Sequence, residues 1–251
     1  MTTLNDRPFS CPACGEPGVR SEVVSTNELH SRDLDMRPGE MLRSTMPFWV
    51  VRCGQCGYAF DPDEDADQLS DPDGVRAIVR TSDYRVLLGD VSLAGDFALR
   101  ALLCERTGRP EAAGWASLSA AWACDDSGDE AGAVRHRLRA VGLWREALAA
   151  GRRIHRSPGA QYAVLADVLR RAGRFDAALA ACDRGHACDD LDEGVRPALI
   201  YTRGLIERGD RGRHTLDDVR RVAIDSLKDL LGDVGRDLAA KGMAIEWEVD
   251  E

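Results

Sequence analysis

From residue 75 onward, apolar positions recur in bursts of about a dozen residues, rich in Ala, Leu and Arg and separated by Gly, Pro or Asp-rich breaks. That rhythm predicts consecutive α-helices joined by short turns. The last helix is expected to begin at Thr215, with Asp218 three residues on as in a capping box. Its apolar stripe would be Leu216, Val219, Ala223, Leu227, Leu230, Val234 and Leu238, closing the end of a helical stack. A different pattern governs the first 60 residues. There Phe48, Trp49, Val50 and Val51 read as a β-strand leading into a turn, and Gly- and Pro-containing turns replace helical periodicity. The tail MAIEWEVDE alternates like a strand.

Aligning the helical part with itself superposes GRPEAA (108–113), GLWREA (142–147) and GRFDAA (173–178), at intervals of 34 and 31 residues. A period near 34 is that of tetratricopeptide repeats, pairs of antiparallel helices that stack into a curved, grooved surface. In such a hairpin the Gly ends the first helix, the Pro or aromatic fills the gap between the two, and the Ala sits where they approach closely. Phe97, Ala101, Cys104 and Ala113 fit the first unit, and Tyr162, Leu165, Ala166, Leu169, Ala178 and Cys182 fit the third. The second is degenerate, with Arg135 in the place of a small residue. A helical bundle without repeat relations is the plain alternative. Some tetratricopeptide domains grip C-terminal carboxylates with Lys and Asn on the groove-facing helix; Ala98, Leu102, Ala163 and Asp167 at those positions argue against that mode.

The organisation expected is a ribbon over 1–60, a linker over 61–73, helical repeats over 74–212, and a capping helix with tail over 213–251. Charge sharpens this division. Of the net −10, residues 61–73 (DPDEDADQLSDPD) contribute −7, while 1–60 hold six Arg against seven acids. Alternating Asp61, Asp63, Asp65 and Asp67 suggest a calcium loop, but Ala66 and Pro72 stand where such a loop needs Gly and a bidentate Glu, so a solvated hinge is the better reading. Residues 131–174 go the other way, with ten Arg against Glu146 and Asp167. Arg135, Arg139, Arg145, Arg152, Arg153 and Arg156 are candidates for docking an acidic partner, RNA or the chain's own linker, against the plainer reading of a solvated face.

Cys-x-x-Cys-Gly occurs twice, at Cys11–Gly15 and Cys53–Gly57. Each such turn points two thiolates at one ion while backbone amides donate to the sulfurs, and two turns complete a tetrahedral set. Cys11, Cys14, Cys53 and Cys56 are therefore expected to bind zinc structurally. A rubredoxin-like iron site has the same ligands, and a redox dithiol needs only one pair, inside a βαβ pattern. Closed four-sulfur coordination leaves no position for substrate. Zinc ribbons often bind nucleic acid, but a module of net charge −1 without Lys lacks the footprint for it. The other cysteines, Cys104, Cys124, Cys182 and Cys188, fall in helix-like segments and are expected to be buried, although Cys182, His186 and Cys188 admit a second metal.

No phosphate loop, His-Glu-x-x-His or nucleophile elbow occurs. There is no basic leader and no apolar run long enough for a bilayer, so a cytoplasmic, non-enzymatic protein is expected. The stretches CPACG, RDLDMRPGEML, CGQCGYAF and SLSAAWACDDSGDEAGAVRHRLRAVGLWREAL, over roughly residues 9–190, resemble the bacterial family catalogued as domain of unknown function twenty-two twenty-five. That resemblance implies a double-cysteine ribbon followed by tetratricopeptide-like helices, and implies no activity. The expectation is mainly α: tetratricopeptide-like helical hairpin repeats behind a small N-terminal β zinc ribbon, acting as a scaffold or adaptor for a protein partner. An RNA- or ribosome-associated role through the Arg face is the alternative.

Overall fold

The computed structural model describes residues 1–62, 71–189, 191–192 and 194–240. At the N-terminus β1 (Thr3–Ser10) and β2 (Pro17–Ser25) form an antiparallel hairpin, paired from Ser10–Pro17 at the turn out to Thr3–Ser25. Two short antiparallel pairs follow, β3 (Glu28–Leu29) with β4 (Glu40–Met41) and β5 (Val51–Arg52) with β6 (Ala59–Phe60). The strand expected over Phe48–Val51 is not there. A 3-10 helix spans Arg43–Phe48, and only Val51 joins β5. Pro47 cannot donate to a ladder, and Trp49 Nε1 donates 2.8 Å to Thr45 Oγ1, so the apolar run winds and buries Met46 and Val50 together.

Nine helices follow among the described residues: α1 (Pro72–Val79), α2 (Ser82–Leu88), α3 (Leu93–Arg106), α4 (Pro110–Ser127), α5 (Glu130–Ala149), α6 (Pro158–Arg171), α7 (Phe175–His186), α8 (Val195–Glu207) and α9 (Leu216–Ala240). Their starts are written locally. Asp71, Ser92, Asp129 and Ser157 accept from the amides of Gly74, Gly95, Gly132 and Ala160, satisfying donors the first turn leaves open. At α9 the capping box forms as expected. Asp218 accepts from the Thr215 amide at 2.8 Å, and Thr215 Oγ1 from the Asp218 amide at 3.3 Å.

α3, α4 and α5 pack in succession, α6 and α7 form a further hairpin, and α8 lies against both before α9. Gly108 (φ +73°) and Gly173 (φ +70°) occupy helix–helix turns as the alignment predicts. GLWREA does not: Gly142 lies inside α5, and the flanking turns are made at Gly128 (φ +77°) and Gly151 (φ +72°). The packing behind that match is real but differently placed. Trp144 is fully buried, meets Trp115 edge-on with centroids 5.0 Å apart, and donates Nε1 to Glu111 O at 3.2 Å. A Cβ on Gly114 would lie 2.2 Å from that indole nitrogen, so the aromatic fills the gap between α4 and α5 rather than a gap inside one repeat.

One apolar core runs from the ribbon into the helices, joining Tyr58 and Phe60 to Phe97 of α3, Trp122 of α4, Trp144 of α5 and Val168 of α6. A smaller cluster unites Leu34 with Ala198 and Leu205 of α8 and Val219 of α9. Of the stripe on α9, Val219 is buried, Leu216 half-buried and Ala223 exposed; the side chains of Leu227, Leu230, Val234 and Leu238, and the tail from 241, lie outside the described residues. No described helix is long and apolar enough to cross a membrane.

Candidate metal centre

The two Cys-x-x-Cys-Gly turns fold alike. In the first, which closes β1–β2, Cys11 N donates to Glu16 O and Gly15 N to Cys11 O, both at 2.8 Å. In the second, between β5 and β6, Cys53 N donates to Tyr58 O and Gly57 N to Cys53 O, both at 2.9 Å. Gly15 and Gly57 hold φ +78° and +76°, a region costing about 1–2 kcal/mol for a residue with a Cβ. Equal local sequence has produced equal local geometry.

The turns face each other so that the four sulfurs of Cys11, Cys14, Cys53 and Cys56 lie within 4.8 Å of one another. Cys11 Sγ is 3.7 Å from Cys56 Sγ, and Cys14 Sγ is 3.7 Å from Cys53 Sγ. A tetrahedron built on metal–sulfur bonds of about 2.3 Å has edges of about 3.8 Å. The donor set therefore fits a tetrahedral ion with every position filled by sulfur. Protonation points the same way. Burial pushes the Cys11 thiol up to about 11, against the pull of the Cys14 and Ala13 amides, and burial also raises Cys56. Cys53 goes down: burial opposes its ionisation, but the Cys56 and Gln55 amides and the neighbouring thiols outweigh that. Like charges this close cannot all ionise unaided, so a cation binding all four must displace protons.

The second turn is fixed by the helices. Tyr84 of α2, fully buried, donates from its hydroxyl to Gly57 O at 2.8 Å and accepts from Ala59 N at 3.2 Å. Arg52 donates to Leu88 O (2.5 Å), Asp90 O (3.2 Å) and Asp96 (3.5 Å), tying β5 to the α2–α3 junction. Leu88 lies over the turn so closely that a Cβ on Gly57 would sit 2.5 Å from it. The first turn is packed into the core through Cys11 and Ala13 but has no such side-chain hydrogen bonds among the described residues, and no described atom comes within 4 Å of the Cβ position at Gly15.

The Arg-rich stretch divides. Arg135, Arg145, Arg153 and Arg156 are exposed, while Arg139 pairs with Glu105 at 2.7 Å and Arg152 with Glu111 at 3.2 Å. Arg137, Arg170 and Arg171 turn inward: Arg137 bonds Asp125, Arg170 bonds Asp167 at 2.6 Å, and Arg171 bridges Asp35 at 2.8 Å and Asp125 at 2.7 Å. The six candidates thus stay at or near the surface, and the inward-turning arginines come from outside that set.

What the charge count hid is a docking segment in the RDLDMR stretch. Asp35 is completely buried and accepts from Trp122 Nε1 (3.0 Å), Arg171 Nη1 (2.8 Å) and the Arg37 amide (3.3 Å). Burial alone would raise this carboxyl, but Arg171, Arg137 and Trp122 outweigh it and hold it below the ordinary carboxylate range. Arg37 pairs with Asp126 of α4. Asp33 pairs with Arg43 at 2.9 Å and forms a β-bridge with Thr215 ahead of α9. The available signal was the alternation of charged Asp33, Asp35 and Arg37 with apolar Leu34 and Met36, in a stretch that fits neither helix nor turn.

Cys104, Cys124 and Cys182 are buried, with burial raising the Cys124 and Cys182 thiols to about 11. Cys188 instead lies past the end of α7 and is half-buried. Cys182 Sγ turns to Leu199 O and His186 Nδ1 to Cys182 O, and the four ribbon cysteines are the one metal-holding cluster among the described residues. No family model, no curated protein and no solved structure matches the chain.

Proposed function

We propose that this protein is a non-enzymatic scaffold in which a zinc-stapled ribbon is built onto a helical array that binds a protein partner. The observation that carries the reading is the closed sulfur tetrahedron on a core shared with the helices. A cation there has no vacant position for water or substrate, and its chemistry is to hold two chain segments together. Zinc suits such a site because it has no redox chemistry to protect against and accepts four thiolates without geometric preference. The array supplies extended surface of the kind that stacked helices use for partners. The pairing of Arg139 with Glu105 and of Arg152 with Glu111 takes some weight from the RNA alternative. We also propose that the chain belongs with the family it resembles, since Arg32–Leu42, which carries part of the resemblance, is the segment that pins ribbon to helices.

Metal analysis of the purified protein should give one zinc per chain without visible absorption; iron, or no metal, would overturn the staple. Affinity purification from native cells, with and without nuclease, should retain a stoichiometric protein after nuclease. Partners that vanish with nuclease would transfer the function to nucleic acid.

A further inference from the structure

Both cysteine turns, α1 and α2 flank a cleft of about 710 Å³, with Cys14, Cys53 and Cys56 at its floor and a ring of arginines beyond them. Four arginines line it, Arg52, Arg76, Arg80 and Arg85, against one carboxylate, Asp96, in a protein of net charge −10. Their commitments differ. Arg52 is spent on Leu88 O, Asp90 O and Asp96, and Arg76 pairs with exposed Asp73 at 3.1 Å. Arg80, which ends α1, and Arg85, in the last turn of α2, are exposed and make no side-chain hydrogen bond or ion pair among the described residues. Beside them the cleft is apolar: Val79 and Leu88 line it, and Val91 is 86% exposed at its rim.

We infer that this cleft docks an acidic peptide segment of a partner protein, with carboxylates on Arg80 and Arg85 and aliphatic side chains against Val91 and Leu88. The inference rests on the scaffold reading and gives its partner a chemistry. Guanidiniums bind carboxylates through paired, planar hydrogen bonds, and neither donor is engaged by a described residue. Their setting favours peptide over nucleic acid. Single strands are held by aromatic platforms together with a basic track, and no aromatic residue lines this cleft. A peptide carrying two or three carboxylates need place them only at the two arginines.

The test uses the full-length, zinc-loaded protein and a random dodecapeptide library selected in parallel on wild type and on the double variant Arg80→Glu, Arg85→Glu. Neither side chain has a partner to lose among the described residues, and equal zinc content and circular dichroism confirm that the variant is folded. The expected result is enrichment of Asp/Glu-containing peptides with Val, Leu or Ile on wild type. Re-measured by fluorescence anisotropy, these should bind the variant at least about tenfold more weakly, and Val91→Ser should weaken them less. Acidic peptides that bind both proteins equally would overturn the cleft and leave the scaffold reading standing. Failure of any peptide class to enrich on wild type would count against both. A labelled twelve-nucleotide oligouridylate that binds wild type but not the double variant would make this a nucleic-acid site and overturn the peptide assignment.

Discussion

The two cysteine turns carry one motif and one backbone geometry, yet they live in different surroundings. The first projects from a hairpin whose residues are mostly exposed, and the space around Gly15 is open. The second is roofed by Leu88, bonded by Tyr84 and flanked by Arg52, so it belongs to the helical core as much as to the ribbon. A short motif thus dictates its own conformation while its neighbours decide what that conformation is worth. A metal held by all four sulfurs would tie the more open turn to the more embedded one.

Removing the metal should separate the halves most strongly. A tetrathiolate site contributes on the order of 10 kcal/mol in isolated zinc modules. Chelation is expected to abolish hydrogen-exchange protection across β1–β2 while amides of residues 51–60 keep part of theirs; equal loss in both halves would show that the embedding contributes nothing. Gly57→Ala comes next. It combines a left-handed φ with overlap against Leu88, and the sum is about 2–5 kcal/mol, readable as a fall in denaturant midpoint. Gly15→Ala meets only the φ term, about 1–2 kcal/mol, so the comparison fails if the two substitutions cost the same. Tyr84→Phe tests the bond from the helices directly. It strips Gly57 O and Ala59 N of their partner at a cost of about 1–3 kcal/mol, and should loosen the second turn without altering exchange in β1–β2.

What could be read from the chain was what is chemically local. Four sulfurs at fixed spacing, a Thr–Asp capping box and the helical rhythm of residues 75–210 each depend on neighbours a few positions away, and each appears in the structure. The middle unit of the repeat failed for the same reason. Gly-x-aromatic-x-x-Ala describes a hairpin turn and also the inside of α5, and only the position of Gly114 on another helix tells them apart. A count of arginines over the basic stretch carries no direction. Arg171 is held by Asp35, 136 residues away, and its inward turn is invisible until that carboxylate is placed. Phe48–Val51 looked like a strand because apolar runs of that length suit either form, and Pro47 with the Thr45–Trp49 bond settled it.

The pinning of Asp33 and Asp35 also sets a timetable for synthesis. Asp33 bridges Thr215, a partner 182 residues later (215 − 33). At about 5–20 residues per second the ribosome takes roughly 10–35 s to make that partner after Asp33. Through that interval the contacts to Tyr84, Leu88 and Trp122 can form, but the bridge of Asp33 to the start of α9 cannot. A nascent chain docked on its first helices but not yet on its last is the species a chaperone would meet, and the emergence of Arg171 and then Thr215 ends that exposure.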